Sequence, residues 1–346
     1  MELAYAEEIK GVLQHLLGRL EIQFEISDFD HQFDSACRRA ARDRGIALDG
    51  DAPHIGSYIS VGVALATTAY AHLPSDDSRI YIALFTAALA AVQDVCRNEY
   101  EPLKAFCSRY LQGKKHGHPI LDCYAMILRE LPDRYRLVVA DMMLQSNMDF
   151  ITALVLEHDM QDRPMSSSAR GFPVFLRDMS GASKIYSLLA YPKEIPLLSY
   201  VEAIPASMTY VNFMGDIFSF YQKELVHETD NCISHMARCN GQTKSQVLQE
   251  LADKSVEAHK EAIAVLSNAP EALKAFERFS RGYVHFHTSS PRYKVADLWS
   301  MGTSSGPSRV HWPSVFIYTM STVFIIIVSI YLQSNKSSLL FLFAYR

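Results

Sequence analysis

Seven stretches of this chain repeat apolar residues every three or four positions, the spacing that places them on one face of an α-helix. The stretches are residues 8–24, 79–98, 118–131, 133–158, 197–226, 243–266 and 270–288. Helix-ending signals such as Pro74 and the pair Ala269-Pro270 stand between them. No stretch alternates apolar and polar residues over the length of a strand. The pattern therefore predicts an all-α fold, in one domain that covers residues 1–305.

Composition excludes some functions. The 346 residues carry a formal net charge of −5 and no basic stripe, so nucleic acid is not an expected partner. The six cysteines show neither Cys-X-X-Cys pairs nor a Cys/His spacing typical of zinc sites. We interpret them as reduced thiols of an intracellular protein, either cytoplasmic or anchored to a membrane and facing the cytoplasm. Because no basic segment precedes an apolar run at the N-terminus, a secretory signal is not expected.

Residues 312–332 form an uncharged, largely apolar segment. About 20 such residues are enough to span a bilayer, so we predict a transmembrane segment followed by a short tail over 333–346. Two alternatives remain open, namely a buried helix and an incorrectly spliced end that packs against nothing. Lys336 and Arg346 are too few charges to predict an orientation in the membrane.

The segment from Asn212 to Glu224 combines polar groups with an otherwise aromatic helix. At about 100° per residue, Asp216, Ser219 and Lys223 all lie within about 40° of Asn212 and form one stripe. The other faces are so apolar that most of the helix should be buried, and buried polar groups need partners. Metal ions and a diphosphate group would supply them, because hard cations favour carboxylate and hydroxyl oxygens. A stripe that faces solvent is the alternative.

A weaker signal stands at the end of the helix predicted over 79–98. Asp94 and Asn98 are four positions apart and share a face, so their oxygens could bind a divalent cation. Glu99 lies about 100° further round and would join them only if the helix ended or bent there. Solvated polar residues at a helix end are the ordinary explanation of such a group.

Together, these motifs resemble those of class I terpene synthases, and most closely the fungal trichodiene synthase group. Their common order along the chain carries the resemblance more than any single motif does. The motifs are Asp94 to Asn98, Phe172 to Arg177, Tyr191 to Glu194, Asp216 to Tyr221, Gly282 to Val284, and Arg292-Tyr293. The resemblance covers residues 75–300. It implies a class I terpenoid synthase helical bundle around a central cavity, with an additional apolar helix at the C-terminus.

The resemblance also implies a reaction, in which three Mg²⁺ ions help to ionise farnesyl diphosphate and the carbocation cyclises to a sesquiterpene with release of diphosphate. The implied metal ligands are Asp94, Asn98, Asp216, Ser219 and Glu224. The implied diphosphate donors are Arg177, Lys223, Arg292 and Tyr293. An aromatic cavity would exclude water and attract the carbocation through cation–π interactions. The expected partners are the prenyl diphosphate, a membrane bound through the C-terminal segment, and a second copy of the chain.

The chain departs from the family's motifs at its metal ligands. Val95 and Asn98 stand where carboxylates are usual, and Gly215 stands where the family has Asn or Asp. The glutamate that should follow Ser219 by four positions follows it by five, as Glu224. On a regular helix these two residues lie about 140° apart, a poor arrangement for one ion. A π-bulge, which absorbs one residue, would restore the alignment.

Two other functions therefore remain open. Because the metal motifs are eroded, and residues 45–78 offer no Lys or Arg to a diphosphate, the chain could bind a prenyl diphosphate without converting it. The chain could instead be an all-helical interaction protein, tethered by its tail, whose polar stripe contacts a partner protein.

Overall fold

The computed structural model describes residues 3–161, 163 and 165–301. Within these residues the chain forms sixteen α-helices, four short 3₁₀ helices and no strand. The α-helices are α1 Leu3–Leu20, α2 His31–Asp43, α3 Ile59–Thr68, α4 Asp76–Asn98, α5 Glu101–Lys104, α6 Phe106–Leu111, α7 Pro119–Arg129, α8 Leu131–Arg134, α9 Leu137–Met160, α10 Phe172–Ser180, α11 Ser183–Leu189, α12 Ile204–Leu225, α13 Cys232–Asn240, α14 Lys244–Leu266, α15 Pro270–Ser289 and α16 Val295–Ser300. The predicted all-α fold is confirmed.

Local sequence explains where the long helices begin. The Ser75 side chain accepts a hydrogen bond from the Ser78 amide at the start of α4, and the acidic pair Asp76-Asp77 follows in the first turn. Both features stabilise a helix N-terminus, the first by satisfying a free N–H group and the second through the helix dipole. Thr243 and Gln246 form a reciprocal capping box at the start of α14.

α12 runs through the middle of the bundle, where α14, α11, α15 and α1 pack around it. Its Phe218 and Phe220 side chains are fully buried. The helix therefore has packed neighbours on most sides, as its aromatic faces predicted. The remaining side carries the polar stripe and borders the cavity described below.

α3 lies very close to α4 and α15, and glycine permits the close approach at both contacts. A Cβ atom on Gly62 would lie 1.9 Å from the carbonyl oxygen of Ala83 on α4. A Cβ atom on Gly282 of α15 would lie 2.2 Å from the carbonyl oxygen of Thr68. Any larger residue at either position would force the backbones apart.

Within the described residues, α4 is the one helix long and apolar enough to cross a membrane, and 78% of its most apolar window is buried inside the protein. We therefore assign α4 to the core of the bundle. The segment predicted to span a membrane, residues 312–332, lies outside the described residues, as does the tail over 333–346. Both assignments stay predictions, as does the domain boundary at 305.

The contact between α3 and α4 can be tested with two glycine substitutions. We expect Gly62→Ala to lower the free energy of unfolding by about 1–3 kcal/mol or more, because the new methyl group must displace backbone. Gly18→Ala is the matched control, since Gly18 is an exposed residue of α1 with no atom within 4 Å of its Cβ position. Alanine should stabilise α1 there by up to about 1 kcal/mol. Urea denaturation measures both, and equal stabilities would contradict the close packing.

Candidate active site

A cavity of about 660 Å³ lies between α4, α10, α12 and α15. The buried part of its lining is mostly apolar and aromatic, with Leu65, Leu89, Ala90, Tyr186, Tyr283 and Phe286. The polar residues Asp216, Ser219 and His287 are buried in it as well. The more exposed part is charged and includes the 228–230 segment that follows α12. One cavity therefore joins a polar mouth to an apolar interior.

Basic side chains outnumber carboxylates in the lining formed by the described residues. The basic residues are Arg97, Arg163, Arg177, Lys223, Arg238 and Arg292. The acidic residues are Glu157, Asp216, Glu228 and Asp230. A concave surface with an excess of cations and low-dielectric walls attracts anions.

Arg177 on α10 forms a largely buried ion pair with Asp216 on α12. The Arg177 Nε donates to the Asp216 Oδ2 over 2.8 Å, and Nη2 donates to the carbonyl oxygen of Asn212 over 3.3 Å. Burial lowers the pKa of Arg177, but the Asp216 carboxylate raises it more, so that the guanidinium stays charged. Asp216 is only 5% exposed. Its carboxylate therefore holds the guanidinium against the cavity wall, which is a different task from the metal binding implied by the resemblance.

The end of α10 is shaped to fit against α12. Asn212 Nδ2 donates to Asp178 Oδ1 over 2.9 Å. A Cβ atom on Gly181 would lie 2.0 Å from Asn212 Oδ1, so a residue with a side chain would clash there. Ala182 then adopts a left-handed conformation with φ 49°, which separates α10 from α11. The contacts of Arg177, Asp178 and Gly181 with α12 therefore all lie at the C-terminal end of α10.

The other members of the stripe also reach the cavity. The Ser219 hydroxyl donates to the carbonyl oxygen of Asp216 over 3.2 Å and lines the cavity. Lys223 lines it one turn later, with its Nζ 3.7 Å from Glu228 Oε1. Gln222 lies beside them. The structure thus brings together the hydroxyl and the ammonium group that the sequence placed on one stripe.

Glu224 lies on a different side of α12. Its Oε1 accepts from Lys244 Nζ over 2.7 Å, and it is absent from the cavity lining. α12 is a regular α-helix over its whole length, so the π-bulge that would have turned Glu224 toward Ser219 is not formed. Glu228 lines the cavity instead. Sequence periodicity missed Glu228 because it lies beyond the C-terminus of α12, where the helical angle no longer predicts direction.

Asp94 and Asn98 are not members of the cavity lining, although Gln93 and Arg97 from the same turns of α4 are. Tyr58 donates to Asp94 Oδ2 over 2.6 Å, and Arg97 Nη1 lies 3.3 Å from Oδ1. The Asn98 side chain donates from Nδ2 to the carbonyl oxygen of Asp94 over 2.9 Å. The Asp94 carboxylate therefore lies beside the cavity, held by two hydrogen-bond donors.

Arg292 and Tyr293 lie in a 3₁₀ turn, Pro291–Tyr293, that follows α15, and both line the cavity. Lys294 follows in a left-handed conformation with φ 56°. The turn packs against α12, so it brings Arg292 to the same cavity as Arg177 and Lys223. The four predicted diphosphate donors, namely Arg177, Lys223, Arg292 and Tyr293, are thus all brought together.

His287 on α15 lines the cavity and was not predicted from the sequence. Its Nδ1 lies 2.8 Å from the carbonyl oxygen of Tyr283. Since a carbonyl oxygen only accepts, Nδ1 carries the hydrogen and Nε2 keeps a free lone pair. Burial, opposed by the Tyr283 carbonyl and reinforced by the charges of Arg292 and Arg177, lowers the pKa of His287 to about 4. The imidazole is therefore neutral.

Oxygen donors suited to a metal line the cavity without forming a cluster. Within the described residues, no group of three or more His, Cys, Asp or Glu side chains is placed to hold one metal ion. Ser219, Gln222, Glu228 and Asp230 supply hydroxyl, amide and carboxylate oxygens to the lining. Such a set fits a hard cation that takes further ligands from water and from phosphate, and it does not fit a site enclosed by protein alone.

Known proteins similar to this chain are terpene synthases. A family model described as Trichodiene synthase (TRI5) matches residues 40–316. The chain is 33% identical over 293 residues to alpha-cuprenene synthase COP6 of Coprinopsis cinerea, a match that covers 84% of this chain and 90% of that protein. It is 29% identical over 252 residues to Monoterpene synthase 25 of Postia placenta, covering 72% of this chain and 76% of that protein.

A solved structure shares the fold. Linalool/nerolidol synthase from Streptomyces clavuligerus, in complex with 2-fluorogeranyl diphosphate, superposes with a TM-score of 0.60 at 12% identity. The superposition covers 78% of this chain and 99% of that one. At this identity the likeness shows the class I terpene synthase fold alone.

The family model and the relatives are those of enzymes, so the interpretation as a tethered interaction protein is set aside. The chain belongs to the trichodiene synthase family and is a terpene synthase, a lyase that acts on prenyl diphosphates.

Proposed function

We propose that this terpene synthase ionises farnesyl diphosphate with the help of Mg²⁺ and cyclises the resulting carbocation to a sesquiterpene skeleton. The observation that carries the proposal is the cavity itself, in which a cationic mouth adjoins an aromatic interior. A volume of about 660 Å³ lies within the usual range of small-ligand sites. Similarity to a monoterpene synthase makes the shorter geranyl diphosphate the second candidate substrate.

The charged mouth would bind the diphosphate group. Arg177, Lys223 and Arg292 reach it from α10, α12 and the turn after α15. As the carbon–oxygen bond breaks, negative charge grows on the departing oxygens. Donors that are already in position stabilise that charge without reorganising. The ion pair with Asp216, in which Nε and Oδ2 are 2.8 Å apart, holds Arg177 in position before the substrate binds.

Mg²⁺ would supply Lewis-acid neutralisation of the leaving diphosphate. Ser219 and Glu228 are the residues we propose to hold it on the α12 side, since both offer oxygen to the cavity. Asp94 is the candidate on the α4 side, in place of its contact with Arg97. Mg²⁺ keeps several waters and usually takes only one or two protein carboxylates together with phosphate oxygens. The sparse donor set of this chain agrees with that preference.

The interior would protect the carbocation. Tyr186, Tyr283, Phe286 and Tyr293 present aromatic rings to the cavity, and Leu65 adds aliphatic surface. Ring faces attract a cation, and an apolar wall excludes bulk water that would quench it. Product identity then depends on how these side chains fold the prenyl chain.

Location and assembly enter the proposal as sequence predictions. All six cysteines are free thiols, which is the state expected in a reducing compartment. We propose an intracellular enzyme, cytoplasmic or membrane-anchored through residues 312–332. A homodimer stays a prediction.

Incubation of the full chain with farnesyl diphosphate or geranyl diphosphate and Mg²⁺ tests the reaction. We expect diphosphate release together with C15 products from the first substrate. Faster turnover of geranyl diphosphate would overturn the proposed substrate in favour of the shorter one. Binding of either compound without release of diphosphate would support the homologue that has lost turnover.

Arg292 gives a sharper test of the diphosphate site. We expect Arg292→Met to lower kcat/KM by about 100- to 1,000-fold, the usual effect of removing one preorganised donor. Arg281→Met is the matched control, because Arg281 is exposed on α15 and does not line the cavity. Circular dichroism should show unchanged helix content in both variants. Similar rates in the two variants would contradict the assignment of Arg292.

Variants of Glu228 and Glu224 test whether the metal ligand is the residue that lines the cavity or the residue that the sequence motif implies. If Glu228 holds Mg²⁺, Glu228→Gln should weaken Mg²⁺-dependent diphosphate binding by about 10- to 100-fold. Glu224→Gln should change it less than twofold, since Glu224 contacts Lys244 outside the cavity. Isothermal titration with inorganic diphosphate measures both. Tighter binding by Glu228→Gln would show that this carboxylate merely repels the anion.

Chelation tests the metal directly. Inorganic diphosphate should bind strongly with Mg²⁺ and at least tenfold more weakly with excess EDTA. Without the metal, only the basic side chains would neutralise the charge of the anion, and the four carboxylates of the lining would repel it. Equal affinities with and without Mg²⁺ would remove the metal from the proposal.

A further inference from the structure

We propose that the space beside Gly215 is a binding site for one water molecule, and that this water attacks the carbocation to give a terpene alcohol. The inference rests on the proposed function and names the class of product that the same cavity releases. His287 is the residue that takes the proton from the water.

Three polar atoms surround the position that a side chain at Gly215 would occupy. A Cβ atom there would lie 3.4 Å from Arg177 Nη2, 3.5 Å from the Tyr283 hydroxyl oxygen and 4.0 Å from His287 Nε2. These distances are ordinary van der Waals contacts, so a methyl group would fit there and would block the space on its cavity side, where a water molecule could lie in contact with the glycine. Gly215, Arg177, Tyr283 and His287 all line the cavity. The gap therefore opens toward the bound substrate.

The hydrogen-bonding capacity around the gap matches a water molecule. Arg177 Nη2 already donates to Asn212 and keeps a second N–H. The Tyr283 hydroxyl donates to the carbonyl oxygen of Val211 over 3.2 Å and keeps its lone pairs. His287 Nδ1 donates to the Tyr283 carbonyl, which leaves Nε2 as an acceptor. One donor and two acceptors thus face the gap.

A water molecule satisfies all three atoms, because it can donate to the histidine and the tyrosine while it accepts from the arginine. Its second lone pair then remains for the cavity. A phosphate oxygen could satisfy only the arginine, since it has no hydrogen to donate to the two acceptors. The arrangement therefore favours water over an arm of the diphosphate.

The surroundings of His287 hold its ring in one orientation. Phe218 stacks on it at 5.4 Å between centroids, Tyr283 meets it edge-on at 4.6 Å, and Tyr293 lies at 4.7 Å. The ring is 2% exposed and neutral, as the lowered pKa indicates. The charged groups that face it are Arg177 and Arg292, which disfavour a permanent imidazolium. The lone pair is therefore kept available until a carbocation increases the acidity of the water.

The step balances as follows. A lone pair of the water oxygen forms a bond to the cationic carbon, and one O–H bond breaks as its proton passes to His287 Nε2. The neutral product is a tertiary or secondary terpene alcohol. The imidazolium then loses the proton to the released diphosphate, which restores the neutral histidine.

Turnover in water enriched in ¹⁸O tests the chemistry. We expect a terpene alcohol that carries the label as a main product of the unaltered chain. In Gly215→Ala, whose methyl group fills the site, the ratio of alcohol to hydrocarbon should fall at least tenfold while diphosphate is still released. Gly18→Ala on the exposed side of α1 is the matched control and should keep the ratio. Only hydrocarbon products from the unaltered chain, or an unchanged ratio in Gly215→Ala, would overturn the inference.

His287→Phe separates proton transfer from packing, because phenylalanine keeps the ring contacts and removes both nitrogens. We expect its alcohol-to-hydrocarbon ratio to fall at least tenfold, with a melting temperature close to that of the unaltered chain. An unchanged ratio would exclude His287 as the proton acceptor.

A crystal structure of the unaltered chain tests the water site without turnover. We expect a water molecule within 3.2 Å of Arg177 Nη2, the Tyr283 hydroxyl and His287 Nε2, and no such water in Gly215→Ala. An empty gap would overturn the inference even if the enzyme were active. A water in place without any release of diphosphate would leave the site intact and reject the proposed function instead.

Discussion

The arrangement of the cavity depends on the ion pair between Arg177 and Asp216. Two charges with little exposure to solvent, on helices far apart in sequence, meet over 2.8 Å. Desolvation of such a pair is costly, and removal of either partner would leave the other charge uncompensated. The pair therefore fixes the position of α10 against α12. It also holds one cationic donor at the edge of the cavity before any ligand arrives.

The same ion pair changes the role of the polar stripe on α12. A helix that is buried on most sides needs partners for its polar groups, and the structure supplies several of them from within the protein. Asp216 is paired with Arg177, and the Ser219 hydroxyl donates to a carbonyl one turn earlier. The oxygens left for a metal are consequently few. This explains how a carboxylate at a motif position can act on the cavity through an arginine.

Sequence predicted the all-α fold and the central helix well because both depend on regular periodicity. The direction of a side chain follows from about 100° per residue while the helix continues, and in the structure Ser219 and Lys223, predicted on one stripe, both line the cavity. The prediction for Glu224 required a bulge, and the helix is regular there. Glu228 lies beyond the end of α12, where an angle of about 100° per residue no longer predicts the direction of a side chain.

Other features could not be predicted because they depend on contacts between distant segments. α3 is buried almost all round, so it has no amphipathic pattern to indicate a helix. His287 stands on a mostly buried helix, where a histidine in sequence gives no sign of its hydrogen-bond partner. Gly215 could be interpreted only as a lost ligand, because the polar atoms that surround it come from α10 and α15.

A terpene synthase must exclude water from a carbocation, yet polar atoms of Arg177, Tyr283 and His287 face the space beside Gly215 in the cavity wall. The two demands agree only if the number of water molecules is limited. Packed rings of Phe218 and Tyr293 cover the faces of His287, and its Nε2 lies 4.0 Å from the position that a Cβ atom on Gly215 would take. The water molecule proposed beside Gly215 is ordered by three hydrogen bonds, one accepted from Arg177 and two donated to Tyr283 and His287. Water then becomes a positioned reactant, while the aromatic and aliphatic side chains of the lining exclude other water molecules.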